Sequence, residues 1–167
     1  MKYPVIAAVI LVFILAVPTL RVEAGPAFQF TLTDNWTTPS FGVVDLAGGA
    51  GSDFASSTWV SAVNAAELEV KHSSMTGWDI TVYKVDSAGW AASNLRLDVQ
   101  RTGAGSGGAA LNGGTTYQEI TSTSTWFFRG VGGDRKSIPL QYRIRNISVA
   151  LGAATFSTTV YYTVTEY

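Results

Sequence analysis

The residues of this chain that most often carry chemistry are few and scattered. His72 is the only histidine, and the 167 residues include no cysteine, so a multi-histidine metal site, a thiolate zinc site and a cysteine nucleophile are excluded. A hydrolytic serine needs a base within reach, but His72 stands at the end of a predicted strand and no Gly-x-Ser-x-Gly motif occurs in the chain. We interpret His72 as an ordinary polar residue at a strand end.

Carboxylates are the remaining candidates for acid–base or metal chemistry. Glu67 and Glu69 share one face of a predicted strand, as a glycosidase pair could, but their neighbours indicate a solvated strand face. Asp45, Asp53 and Asp134 lie in glycine-rich segments where oxygen ligands could hold Ca²⁺, without the dense Asp-x-Asp spacing of a specific site. We therefore expect these aspartates to hydrogen-bond the nearby backbone in turns. We expect no catalytic residue, no metal and no cofactor.

Composition excludes further classes of protein. The formal net charge is −1 and only 14% of the residues are charged, whereas a nucleic-acid-binding domain normally carries a clustered basic face. The length fits one domain of ordinary size with a sizeable apolar core. The low charge and the 17 glycines favour a β-rich extracellular protein and specify no activity.

The first 24 residues predict a secretory signal peptide. Lys2 precedes the apolar run Pro4–Leu20, and Val22-Glu23-Ala24 places small residues where signal peptidase reads them. We expect cleavage after Ala24, export, and no membrane association of the mature chain. A retained membrane anchor is the alternative, because about 17 apolar residues lie at the lower limit for spanning a bilayer. A pilin-like leader is disfavoured by the prolines in the run.

Beyond the leader, hydrophobicity alternates with a period of two. Successive residues of a strand point to opposite faces, so each alternating segment predicts a strand with one buried and one wet face. The clear segments are 28–33, 67–71, 78–83, 95–100, 138–145 and 155–165, and weaker ones are 41–46, 57–60, 117–121 and 125–129. After the leader, no window of ten or more residues carries a convincing helical stripe.

This pattern predicts an all-β fold. About eight to ten strands with one wet face each pack most simply as a two-layer antiparallel β-sandwich. We expect an N-terminal strand and hinge over residues 25–38 and the sandwich domain over residues 39–167. Gly48–Gly51, Gly103–Gly114 and Gly130–Gly133 are predicted loops. The middle one is expected to be mobile, because fixing glycine costs more backbone entropy than fixing any other residue.

The first strand of the mature chain has two interpretations. Phe28, Phe30 and Leu32 alternate with polar residues only a few residues beyond the expected cleavage site. The segment is either the first strand of its own sandwich or a strand that completes the sheet of a neighbouring copy, with Asp34–Pro39 as a hinge. The second arrangement polymerises the chain, because a contact between unlike surfaces that does not close forms a fibre.

Aromatic residues suggest an alternative ligand. Trp36, Trp90 and Trp126 lie in or next to predicted turns, where exposed rings could stack on a glycan. Trp78 and Tyr142 lie on the apolar phase of their strands and are predicted core residues. N-glycosylation acceptor patterns, which matter only where the organism uses them, occur at Asn35 and Asn146.

Three segments carry a family resemblance, namely Gly77–Val82, Ser93–Leu95 and Ala153–Thr165. The tail is similar to the closing strand of spore-coat-U and fimbrial-type secreted subunits, and Trp-x-Ile with this tail resembles WxL-type cell-surface domains. The resemblance covers roughly the C-terminal half and implies an immunoglobulin-like sandwich at the cell surface, with fibre assembly in the first case and cell-wall attachment in the second. The chain lacks the disulfide that fimbrial subunits often carry and a second Trp-x-Leu motif, so no binding residue is transferred.

These observations predict a non-enzymatic structural subunit of a pilus-like extracellular filament or surface layer. Phe28, Phe30 and Leu32 would insert as a donor strand into a groove of the next copy. The alternative is a monomeric cell-surface module that binds glycan or cell wall through Trp36, Trp90 and Trp126. Without a disulfide, stability must come from burial in the sandwich and from neighbouring subunits.

Overall fold

The computed structural model describes residues 11–16, 28–34, 36, 39–48, 51–72 and 77–166. Within these ranges the chain forms twelve strands, one short helix and two 3₁₀ turns. The strands are β1 Leu11–Ala16, β2 Phe28–Asp34, β3 Ser40–Phe41, β4 Thr58–Val60, β5 Ala66–His72, β6 Gly77–Asp86, β7 Arg96–Arg101, β8 Ala110–Gly113, β9 Gln118–Glu119, β10 Thr125–Val131, β11 Arg135–Arg145 and β12 Thr155–Glu166. The helix is α1 Ala88–Ala92, and the turns are Val43–Asp45 and Val149–Leu151.

The strands form two sheets. Sheet A has the order β3-β1-β12-β6-β10-β8, and sheet B has the order β2-β5-β11-β7-β9, with β4 paired to the end of β11. In the described part of the chain all paired strands are antiparallel except β1 and β12, which are parallel. The predicted all-β sandwich is confirmed.

The core lies between the sheets and follows the alternation of the sequence. Residues at every second position of β11 and β12 point inward and are buried: Ile138, Leu140, Tyr142, Ile144, Phe156, Thr158, Val160, Tyr162 and Val164. Trp78 of β6 is fully buried and makes an edge contact with Phe128 of β10 at a centroid distance of 6.0 Å. Both predicted core aromatics, Trp78 and Tyr142, are therefore confirmed. Each large apolar side chain buried in this way stabilises the fold by about 1.5–3 kcal/mol before ordering costs.

The weak strand prediction over 41–46 is wrong beyond Phe41. Strand β3 ends at Phe41, and Val43–Asp45 forms a 3₁₀ turn. The Asp45 carboxylate accepts a hydrogen bond from the Gly42 amide at 2.8 Å, which offers this backbone a local partner in place of a neighbouring strand. Phe41 and Leu46 on either side of the turn pack against the core, whereas Val43 and Val44 within it are exposed, so the apolar residues here do not mark a longer strand.

The glycine-rich segment Gly103–Gly114 is not a loop throughout. Its last part, Ala110–Gly113, is strand β8 and pairs with β10. Further upstream, Ser106 and Lys136 exchange two backbone hydrogen bonds of 2.8 and 2.7 Å. A Cβ atom at Gly105 would collide with the Lys136 carbonyl oxygen. The glycines therefore allow this segment to lie directly on the chain around Lys136, where hydrogen bonds hold it.

Candidate functional site

The predicted donor strand lies at one edge of sheet B. Among the described strands, β2 pairs with β5 alone, in an antiparallel register that runs from Phe28 opposite His72 to Asp34 opposite Ala66. Phe30 lies opposite Val70 in this ladder. In the single chain, β2 thus completes its own sandwich, which corresponds to the first of the two sequence-based interpretations.

The two faces of β2 differ in their surroundings. Phe30 is 9% exposed and belongs to the core, and Leu32 packs against the core while remaining half-buried. Thr31 and Thr33, at the alternate positions, are exposed. The side chain of Phe28 lies outside the described residues. The apolar face of β2 therefore needs a covering sheet, whether that sheet belongs to the same chain or to another.

The segment after β2 is anchored by Trp36. The Trp36 amide donates to the Asp34 carboxylate at 2.7 Å, and its ring makes edge contacts with Trp59 and Tyr142 at centroid distances of 5.2 and 5.3 Å. The indole N–H of Trp36 is buried and has no hydrogen-bond partner among the described residues. Asn35, with its acceptor pattern, and residues 37 and 38 of the expected hinge lie outside the described residues.

Strand β1 comes from the predicted signal peptide. Its parallel register with β12 runs from Val12 opposite Thr155 to Ala16 opposite Thr159, and its other neighbour is β3. The remaining leader residues, 1–10 and 17–24, lie outside the described ranges. Cleavage after Ala24 would remove β1 and leave the Thr155–Thr159 stretch of β12 without this neighbour.

The three tryptophans considered for glycan binding do not form one surface. Trp90 is on α1 and is 3% exposed, and Trp36 packs against Trp59 and Tyr142 on the sheet B side. Trp126 is 49% exposed on sheet A, where its indole N–H donates to Asp79 at 2.9 Å. Only the third has the exposure that a stacking platform for a sugar requires.

A charged network covers part of sheet B, and sequence reasoning missed it. Asp98 on β7 is 1% exposed and accepts hydrogen bonds from Arg143 and Arg145 on β11, both at 2.7 Å. Arg145 also donates to Glu119 at 2.9 Å. The hydrogen bond to Asp98 raises the pKa of Arg145 above its ordinary value. The alternation of Arg143 and Arg145 was a signal, but only the strand register shows which carboxylate they meet.

The carboxylates weighed for catalysis or metal binding have other partners. Glu69 forms a partly exposed ion pair with Lys71 at 3.2 Å, as expected of a solvated strand face. Asp53 accepts hydrogen bonds from the amide of Val149 and the hydroxyl of Ser148, both at 2.9 Å, and from the Phe54 amide, and these bonds lower the pKa of its carboxyl. No cluster of three or more potential metal-ligating side chains occurs among the described residues.

No protein-family model matches the chain, and no curated protein is detectably similar to it. The resemblance to fimbrial and WxL-type surface proteins stays a prediction. None of the helices in the described ranges is long and apolar enough to cross a membrane. The feature on which a function can be based is strand β2, an edge strand of sheet B with an apolar inner face.

Proposed function

We propose that the chain is a secreted, non-enzymatic structural subunit of an extracellular filament or surface layer whose copies exchange strand β2. The observation that carries the proposal is the position of β2, an edge strand that pairs with β5 alone among the described strands and places Phe30 in the core. The β2 of one copy can pair with the β5 of the next through the same register. Polymerisation by this route uses the β2–β5 contacts already present in the single chain and needs no additional interface.

Exchange of β2 between copies of the chain is energetically more favourable here than exchange of an ordinary edge strand would be. Contacts of β2 with β5 are the same within one chain and between chains, so the segment that follows β2 decides the preference. In the single chain this segment buries the Trp36 indole N–H, which has no hydrogen-bond partner in the part of the chain that the structure describes. An unsatisfied buried donor costs about 1–3 kcal/mol, and an exchanged arrangement is free to relieve that cost.

Chain order supports the same mechanism. In a chain cleaved after Ala24, only residues 25–27 precede β2. A strand at a free end can leave one sheet and enter another without threading a loop. Export with removal of the leader would therefore produce the exchangeable end.

A designed disulfide distinguishes pairing within a chain from pairing between chains. Thr31 lies opposite Glu69, and directly opposed antiparallel residues have Cα atoms about 4.5–5.5 Å apart, within disulfide range. The chain has no other cysteine, so Thr31→Cys with Glu69→Cys has one designed pairing. After oxidation of assembled protein, we expect a ladder of covalent oligomers on non-reducing denaturing electrophoresis.

Two controls complete the experiment. Gln100 and Gln141 lie opposite each other on β7 and β11, inside the sandwich domain, so Gln100→Cys with Gln141→Cys should give intramolecular disulfides only. Each single-cysteine variant should give no ladder. Monomers with an internal disulfide from assembled Thr31→Cys/Glu69→Cys protein, or a mature chain that never assembles, would overturn the proposal.

A further inference from the structure

A cavity of about 290 Å³ opens beside α1, between the end of β6 and the segment around β9. Trp90, Lys84 and Asp86 line one part of its wall, and Arg96 and Glu119 line another. None of these residues belongs to the β2 edge. The volume is at the lower end of the range of small-molecule sites.

The ammonium group of Lys84 has unused hydrogen-bonding capacity. Lys84 is 8% exposed, and its Nζ donates to both carboxylate oxygens of Asp86 and lies 5.6 Å from the centroid of the Trp90 ring. An ammonium has three N–H donors, and Asp86 is its sole hydrogen-bond acceptor among the described residues. One buried donor at the cavity wall is therefore available to an acceptor on a ligand.

The rest of the wall combines fixed charges with neutral polar groups. Asp86 also accepts a hydrogen bond from the Thr158 hydroxyl at 2.7 Å, which orients its carboxylate. Arg96 and Glu119 form a second ion pair at 2.9 Å. Each cation of the lining is thus matched by a carboxylate. The neutral polar residues that complete the lining are Ser93, Asn94, Thr121 and Ser122.

The geometry points to a binding site for one neutral sugar residue of a glycan. Sugar hydroxyls both donate and accept, so they can use the free Lys84 donor and the carboxylate acceptors of a wall with no net charge. Trp90 lies in the wall but is 3% exposed, so the polar groups of the cavity, and not stacking on this ring, would hold the sugar. An anionic ligand would need an excess of cations, and an apolar ligand would leave the Lys84 donor without a partner.

Saturation-transfer NMR on the purified full chain tests this assignment. The probes are glucose, galactose, mannose and N-acetylglucosamine, with glucuronate and inorganic phosphate as charged probes. We expect signal transfer to at least one neutral sugar. Lys84→Met and Arg96→Ala should each weaken its affinity about tenfold, the scale of one charged-group hydrogen bond. Trp126→Ala, at the exposed tryptophan of sheet A, should leave the affinity unchanged.

The variants keep the test decisive. Lys84→Met leaves Asp86 without its ion-pair partner and can lower stability, but Arg96 is more than half exposed, so Arg96→Ala is expected to fold. Absence of transfer to all four neutral sugars contradicts the assignment. Binding of the charged probes alone contradicts it as well, and so does neutral-sugar binding that only Trp126→Ala abolishes.

Discussion

The phenolic oxygens of Tyr142 and Tyr162 lie 2.8 Å apart in the centre of the sandwich. Tyr142 is on β11 of sheet B and Tyr162 is on β12 of sheet A, and both are buried. This hydrogen bond therefore joins the two layers through the core. Buried hydroxyls are tolerated when they are hydrogen-bonded, and each of these hydroxyls has the other as its partner.

Removal of one hydroxyl should cost more than removal of both. In Tyr142→Phe the Tyr162 hydroxyl stays buried without its partner, and we expect the free energy of unfolding to fall by about 1–3 kcal/mol. In the double variant with Tyr162→Phe both sites become apolar, so part of the loss should be recovered. Urea denaturation followed by tryptophan fluorescence measures both effects. A double variant as unstable as the sum of the single variants would refute this coupling.

The same pair predicts a loss of stability in alkali. Burial raises the pKa of both Tyr142 and Tyr162 above the ordinary tyrosine value, which is about 10 in an unfolded chain. Their contribution is complete below that pH. It declines as pH rises further, because the unfolded chain releases protons that the folded chain retains.

Unfolding experiments at increasing pH, with tyrosinate absorbance recorded in parallel, test this dependence. The Tyr142→Phe/Tyr162→Phe variant should lose less stability in alkali than the unaltered chain. Ionisation of both tyrosines while the protein remains folded would show the explanation to be wrong.

Gly130 on β10 is required by the ring of Trp78. The two residues are register partners, and a Cβ atom at position 130 would overlap the indole. We expect Gly130→Ala to destabilise the fold by about 3 kcal/mol, since overpacking forces a fully buried side chain out of place. Gly108→Ala is the matched control, because nothing lies within 4 Å of its Cβ position. Thermal unfolding compares them, and equal melting temperatures would contradict the prediction.

Within the charged network of sheet B, substitution of Asp98 is expected to lower the free energy of unfolding more than substitution of Glu119. Asp98→Asn removes the negative charge and one of the two acceptor oxygens that Arg143 and Arg145 share. We expect the free energy of unfolding to fall by about 2 kcal/mol, less than for a wholly buried pair, because both arginines are about one-third exposed. Glu119→Gln, at a partly exposed partner of Arg145, should cost under about 1 kcal/mol. Chemical denaturation of the two variants checks this order; a reversed order would rule out Asp98 as the centre of the network.

The long strands could be predicted because their alternation extends over many residues. Segment 155–165 corresponds to β12 Thr155–Glu166, and segment 138–145 lies within β11 Arg135–Arg145. Strand β8 was missed because its four residues are too few to show an alternation and lie within a glycine-rich segment. Helix α1 was missed because five residues are too few for a helical stripe.

The candidate sites were less predictable, because they depend on strand register and on three-dimensional packing. The apolar face of β2 follows directly from Phe30 and Leu32 in the sequence. By contrast, Trp90 was expected near a turn and is buried, since Ser87 caps α1 by accepting from the Trp90 amide at 3.3 Å and α1 lies against β12. No local pattern places Arg96 and Glu119 across from Lys84, since these residues belong to three different strands.

The close approach of Gly105 and Gly107 to the chain at 134–137 has a consequence for sequence variation. Both glycines have positive φ, and a Cβ atom on either would collide with a backbone carbonyl oxygen. A segment whose composition looks permissive is thus among the least substitutable parts of the protein. In a family of descendants of this chain, we expect amino-acid changes to accumulate at Gly108 and at the exposed residues around it well before they reach these two positions.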